Sequence, residues 1–156
     1  AQVEGAPRCA IGLFEVGTRR VLATPGCRAH HVAISAAIEQ LTAALDEFQI
    51  PPFRHDAVDG GPADALRYAQ FTVERRSALV QLALVWSSAG PEGVPALPAL
   101  AQRLWGAAPW HSIWAHWRGP GRSGAIFAGG AEGASAFGGE AWCRLRGGER
   151  VEELVD

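Results

Sequence analysis

Covalent catalysis needs a nucleophile beside a base, so the first residues to weigh are those the sequence sets side by side. Ser112 follows His111 directly. Both fall in an alternating segment, where neighbours point to opposite faces of a strand, so the pair is a poor nucleophile–base couple. His30-His31 precedes a long apolar-periodic segment. Two adjacent imidazoles cannot easily share one metal ion, and no third ligand follows three or four residues on. They read as the approach to a helix, one capping it and one facing solvent. Cys9, Cys27 and Cys143 lie far apart. An odd number argues against a disulfide scaffold, and the absence of a CxxC pair leaves no self-contained zinc site. Reduced structural thiols of an intracellular compartment fit that usage. Gly129-Gly130 and Gly138-Gly139 supply neither G-x-G-x-x-G nor a G-K-[ST] ending, and read as turns rather than phosphate cradles.

Four of the six tryptophans, Trp105, Trp110, Trp114 and Trp117, crowd one region. Core packing between a helix and a strand accounts for such a cluster. Stacking on an exposed nucleic-acid base is the alternative chemistry open to an indole. Arg118 and Arg122 follow at once, around Gly119-Pro120-Gly121. Trp114, His116, Arg118 and Arg122 are therefore the candidate nucleic-acid contacts.

These side chains must be positioned by regular elements. Residues 10–14 and 20–23 are short apolar runs with Gly17 between them, which reads as a hairpin. In residues 32–48, Ile34, Ile38, Leu41, Leu45 and Phe48 recur at helical spacing, and Pro51-Pro52 prevents continuation. Residues 66–74 alternate, with Arg67, Ala69, Phe71 and Val73 on one side. After a short polar break, the more apolar run 79–86 follows, so an antiparallel pair is expected with the second strand central. Residues 98–105 form a short helix and 111–117 a strand, with His111, Ile113, Ala115 and Trp117 on one side. The glycine-rich remainder holds a short strand at 125–128, another near 140–145 and a weak one at 151–155. The fold class is α/β (α+β). Its order, hairpin-α-β-β-α-β with a glycine-rich β tail, is that of a ferredoxin-like split unit.

Composition bounds the rest. The chain of 156 residues is long enough for one core, and 48% apolar with 19% charged residues marks it as globular. The net charge of −2 argues against holding a polyanion by charge alone. All 14 basic residues are arginine. No apolar run is long enough to span a bilayer and no amino-terminal signal is visible. The chain has no methionine, and it stops at Asp156 within sequence that reads as structured. Both features are expected of an internal piece.

Three ordered blocks carry a resemblance. Ile11-Gly12-Leu13-Phe14-Glu15-Val16-Gly17-Thr18 leads through Val21 to Pro25-Gly26-Cys27-Arg28-Ala29-His30-His31. Leu66-Arg67-Tyr68-Ala69-Gln70-Phe71-Thr72-Val73-Glu74-Arg75 leads to Val80-Gln81-Leu82-Ala83-Leu84-Val85-Trp86. His111-Ser112-Ile113-Trp114 closes the set. In this order, over roughly residues 10–156, they resemble the central domain of the S-adenosylmethionine-dependent RNA uracil-5-methyltransferases, most closely the plant-type and algal branch. The resemblance implies a single central, RNA-positioning domain over residues 1–156, with a Rossmann-like catalytic domain expected after Asp156 to bind S-adenosylmethionine. It implies covalent chemistry there: a cysteine thiolate adds to C6 of uracil, C5 takes the methyl group, and a base removes the C5 proton. None of the family's catalytic motifs falls in this chain, so none of its cysteines is the nucleophile and the chain alone is expected to be inactive. Some members hold a four-iron cluster, and Cys27 stands where their fourth cysteine ligand falls. The other three are absent, so a cluster is not expected here. The family often has asparagine where Ala115 and His116 stand. The implied partner is tRNA or rRNA, the implied compartment the cytoplasm or a plastid, and no membrane is involved. A stand-alone RNA- or protein-binding module without catalysis is the alternative.

Overall fold

The computed structural model describes residues 9–54, 61–62, 64–107, 110–118 and 142–148. Strands β1 (Gly12–Phe14) and β2 (Val21–Ala23) form the expected antiparallel hairpin, with Leu13 opposite Leu22. Gly17 turns it at φ 74°, and the Glu15 amide donates to the Arg20 carbonyl at 2.9 Å. Gly12 is obligatory for a different reason: a Cβ there would run into the Leu22 carbonyl across the ladder.

Helix α1 spans Val32–Glu47. His31 is its N-cap, and its Nδ1 accepts from the Ala33 amide at 3.2 Å. The expected stripe turns inward, with Ala37, Leu41, Ala44 and Leu45 buried and Ile34, Ile38 and Phe48 half-buried. The helix ends in a reverse turn in which the Ile50 amide donates to the Leu45 carbonyl at 2.9 Å and the Gln49 amide to Asp46 at 3.1 Å. Gln49 occupies the left-handed region at φ 53°. Pro51-Pro52 then leads the chain to the sheet, where Pro52 forms an isolated parallel bridge with Leu66.

The sheet contains β3 (Leu66–Val73), β4 (Val80–Trp86), β5 (Trp110–Trp117) and β6 (Trp142–Gly147), in that spatial order. The β3–β4 and β5–β6 pairs are antiparallel, while β4–β5 is parallel. Helix α2 (Leu97–Trp105) makes the crossover between the two parallel strands, preceded by a 3-10 turn at Pro91–Gly93. The α+β unit is thus present in the expected element order. A finer detail is that the strands joined by α2 are direct neighbours. The tail strands at 125–128 and 151–155 lie outside the described residues.

Both helices bury their apolar sides on one face of the sheet. Leu41 and Leu45 of α1, Leu100 and Leu104 of α2, and Leu82, Leu84, Trp86 and Ile113 of the two central strands are all 0–1% exposed and join in one core. At about 25 cal/mol per Å² of apolar surface removed from water, each such side chain contributes about 1.5–3 kcal/mol. Strand β4 is central, as its composition requires. The Trp110 indole N–H donates to the Leu104 carbonyl at 2.6 Å, tying the end of α2 to the start of β5. Arg103 pairs with Glu47 at 2.9 Å between the two helices.

Pairing is irregular at three places, one of them between β5 and β6 at Ile113–Trp114, and at the other two the expected faces change. Irregular pairing between Leu66 and Tyr68 turns Leu66 toward the core as well as Ala69, Phe71 and Val73. On β5, register slips between Val80 and Gln81, so Trp110 rather than His111 joins Ile113, Ala115 and Trp117 in the core. A bulge adds one residue to one strand and resets which side chains face inward.

Candidate nucleic-acid interface

Among the described residues, neither helix lies on the second face of the sheet. Register assembles that face in rows. Tyr68 on β3 is opposite Val85 on β4, Val85 is opposite His116 on β5, and His116 is opposite Trp142 on β6. One step along, Gln70, Ala83, Trp114 and Arg144 form a second row. Thr72, Gln81 and Ser112 begin a third. Paired residues project from the same face, so each row is contiguous.

Trp114 is half-buried, and its Nε1 donates to Ser112 Oγ at 3.0 Å. His116 is half-buried against Trp142, with ring centroids 4.4 Å apart and planes tilted by 53°. Arg118 follows with the same parity as Trp114 and His116. Its amide extends the β4–β5 ladder by donating to the Trp86 carbonyl at 3.0 Å, and the residue is only 7% exposed. Its carbonyl accepts from Arg67 Nη1 at 3.3 Å, while the Arg67 guanidinium lies 4.2 Å from the centre of the Phe53 ring. Burial, and then the neighbouring Arg118 charge, push the Arg67 pKa down, yet an arginine keeps its charge at neutral pH. The fourth candidate, Arg122, lies outside the described residues. Trp114, His116 and Arg118 are therefore brought to one side of β5. Tyr68, Trp142 and Arg144 join them without having been singled out from sequence. Their signal was pairing register, which no single segment contains.

The bulge on β5 also brings together a pair that alternation had separated. His111 Nδ1 lies 3.2 Å from Ser112 Oγ. The serine is fully buried, however, and its hydroxyl donates to Gln81 Oε1 at 3.3 Å while accepting from Trp114. Ser112 is a junction holding β4, β5 and the Trp114 indole in place, with no open approach for a substrate carbon.

The three thiols fall in three different environments. Cys27 is half-buried in the turn before α1, where its carbonyl accepts from the His30 amide at 3.0 Å. Cys143 is exposed on β6. Cys9 is buried, donates to the Ile50 carbonyl at 3.2 Å, and has its pKa pushed up to about 11 by burial and by the nearby Asp46. Among the described residues no group of three or more His, Cys, Asp or Glu is placed to hold a metal ion. A four-iron cluster draws on several thiolates together, and the chain's own cysteines do not fit one. A cleft of about 130 Å³ between the hairpin and β3 is lined mainly by apolar groups such as Ile11, Phe14 and Val21, with Arg67 as its one charged side chain. That is well below the roughly 300 Å³ at which ligand pockets begin. No helix among the described residues is long and apolar enough to cross a membrane.

No family model matches the chain. It is 36% identical over 110 residues to an uncharacterized RNA methyltransferase of Protochlamydia amoebophila (strain UWE25), an alignment covering 67% of this chain and 27% of that protein. Over two thirds of its length the chain is thus similar to part of an RNA methyltransferase, and it spans about a quarter of that relative's length.

Proposed function

We propose that this chain is the central, RNA-positioning domain of an S-adenosylmethionine-dependent RNA methyltransferase, and that the methyl group goes to C5 of a uracil in tRNA or rRNA. The observation that carries the reading is the 36% identity over 110 residues to a protein of that broad kind. On this reading, S-adenosylmethionine and the catalytic cysteine belong to a Rossmann-like domain outside this chain. This domain's task is to present the RNA, and the full-length enzyme works inside the cell, in the cytoplasm or a plastid. Trp114 and His116 are the contacts to bases, with Arg118 and Arg122 toward phosphates. The aromatic rows on the helix-free face of the sheet support that assignment, because stacking is how single bases are held at a protein surface. A uracil inside a helix must be extruded before chemistry can reach it, which makes presentation a separate task from catalysis.

The test is a deletion of the gene followed by mass spectrometry of nucleosides from digested tRNA and rRNA. Loss of 5-methyluridine from one of the two pools is expected. Unchanged 5-methyluridine would overturn the uracil assignment, and an unchanged set of all methylated nucleosides would overturn the methyltransferase reading itself. The purified chain incubated with S-adenosylmethionine and unmodified RNA should transfer no methyl group. Turnover there would show that the chemistry is not housed elsewhere.

A further inference from the structure

The β1–β2 hairpin carries apolar side chains on both of its faces. Leu13 pairs with Leu22 and Phe14 with Val21, and successive residues of a strand point to opposite sides. The Phe14–Val21 side borders the cleft beside β3, where Leu45 of α1 and Leu66 of β3 stand across from it. The Leu13–Leu22 side is open, with Leu13 65% and Leu22 40% exposed, and Val16 at the tip is exposed almost completely. A strand that is apolar on both sides has the composition of one covered on both sides. A two-stranded hairpin by itself is also marginal in water and gains its stability from a body packed against it.

The cleft also holds a charge without a counter-charge. Arg67 is half-buried in its wall. Its Nη1 donates to the Arg118 carbonyl at 3.3 Å and its guanidinium lies on the Phe53 ring, but among the described residues it pairs with no carboxylate. Its Nε is covered and has no hydrogen-bond partner. Burial and the neighbouring Arg118 charge hold its pKa down, as expected of a cation short of compensation. Charges taken out of water are ordinarily paired, and their N–H groups ordinarily satisfied. The guanidinium therefore calls for an anion, and its planar fork matches a carboxylate. A nucleic-acid backbone brings a phosphate with every nucleotide and is held by several cations, whereas this cleft offers one cation among apolar walls. At about 130 Å³ it has room for side chains rather than for a free ligand.

We propose that the hairpin and this cleft are the docking site for the remainder of the methyltransferase polypeptide, which presents to Arg67 a carboxylate carried on an apolar segment. Charge complementarity names the chemistry of the occupant. Extent names its source: the chain spans about a quarter of the length of the RNA methyltransferase it is similar to, so a protein of that plan has most of its mass elsewhere. Domains of one polypeptide meet over about 600–1,500 Å², and the hairpin supplies an apolar centre for such a patch. The docked body covers Leu13, Val16 and Leu22, while the pair at Arg67 fixes its position. This inference rests on the reading of the chain as part of a longer RNA methyltransferase, and it adds where the rest attaches.

Hydrogen exchange of the segment 10–24, compared between the 156-residue chain and the full-length product of its gene, tests the docking. Exchange should be at least about ten-fold slower in the full-length protein, because opening the hairpin there also requires undocking. Equal exchange overturns the proposal. Leu13→Ser changes an exposed side chain, so it should leave the urea midpoint of the 156-residue chain unchanged while speeding exchange of the hairpin in the full-length protein. Wild-type exchange in the full-length Leu13→Ser protein overturns the proposal as well. The carboxylate is identified by condensation. The chain has no lysine, so Arg67→Lys brings in one side-chain amine, which a carbodiimide joins as an amide to a carboxylate in contact with it. In the full-length protein, mass spectrometry should find position 67 linked to an Asp or Glu outside residues 1–156. A link within those residues, a link to a second copy, or no link overturns the proposal. So does protection of the hairpin by added RNA but not by the rest of the polypeptide. An unprotected hairpin, with 5-methyluridine still lost on gene deletion, would overturn the docking site and leave the methyltransferase reading standing. A protected and linked hairpin, with every methylated nucleoside unchanged on deletion, would overturn the methyltransferase reading and leave the docking site.

Discussion

Cys9 shows how far a single side chain departs from what its sequence position suggests. It lies before the first strand, yet it is buried with its thiol on the Ile50 carbonyl. Its pKa is raised from 9.0 to about 11, so the folded state holds the proton over a range where the unfolded chain has released it. Stability from this group is full below pH 9 and declines as the pH climbs toward 11, by about 1.4 kcal/mol per unit and so up to roughly 3 kcal/mol. In urea denaturation at pH 8, 9, 10 and 11, Cys9→Ala should flatten the decline above pH 9. A variant profile as steep as the wild type's would remove Cys9 as its source. The Ser112–His111 pair teaches the complementary lesson. Alternation separated the two, and a one-residue bulge reunited them at 3.2 Å. Even so, the burial of Ser112 withholds the nucleophilic role that adjacency had already made a poor bet.

At the scale of elements, α1 was the most legible, because five apolar residues at helical spacing and two prolines state both its face and its end. Its N-cap was legible too, with His31 capping through Nδ1. Its last turn was not. The paired hydrogen bonds from Ile50 to Leu45 and from Gln49 to Asp46 form a Schellman motif, in which the residue after the cap must adopt a left-handed conformation. Glycine is the usual occupant, and here Gln49 holds that conformation at φ 53°. The apolar contact that accompanies such motifs is supplied by Ile50 and Leu45, both buried. Gln49→Gly should therefore raise stability by about 0.5–1 kcal/mol, seen as a higher urea midpoint at unchanged slope. A lower midpoint would mean that the Gln49 side chain contributes more than its backbone strain costs. Among the described residues the strands were legible in approximate extent, and the β1–β2 and β3–β4 pairs in their antiparallel sense, while the strands expected at 125–128 and 151–155 lie outside those residues. The faces of β3 and β5 were misread at their first residues, where bulges shift the alternation. A bulge depends on the partner strand, and the partner is chosen by tertiary structure.

For the whole molecule, sequence order predicted the α+β class and the central place of β4, while the neighbour of each later strand came only from the fold. The candidate interface follows the same rule. Trp114, His116 and Arg118 lie on one strand and could be grouped by parity, whereas Tyr68, Trp142 and Arg144 enter only once β3 and β6 have docked in register. The hairpin is the least anchored described unit. Leu13 is 65% and Val16 98% exposed, and β2 is exposed along its length. The strands β4 and β5 are buried among both helices. Hydrogen exchange should therefore report two levels of protection, with the Val21 and Leu22 amides exchanging by local opening and the Leu82, Leu84 and Ile113 amides only on global unfolding. Equal protection of the two sets would show that the hairpin and the sheet open as one cooperative unit.

The crossover through α2 also has a consequence in time. Strand β4, the helix and β5 are consecutive, so this parallel pair can close as soon as Trp117 leaves the ribosome. Strand β6 begins only at Trp142. At about 5–20 residues per second, one to several seconds of synthesis separate the two events. During that interval the outer edge of β5 carries unpaired amides and carbonyls, beside Trp114 and His116, in a nascent chain. Codon usage between these strands, or a chaperone that shields that edge, would govern the yield of soluble protein without altering any contact of the finished fold.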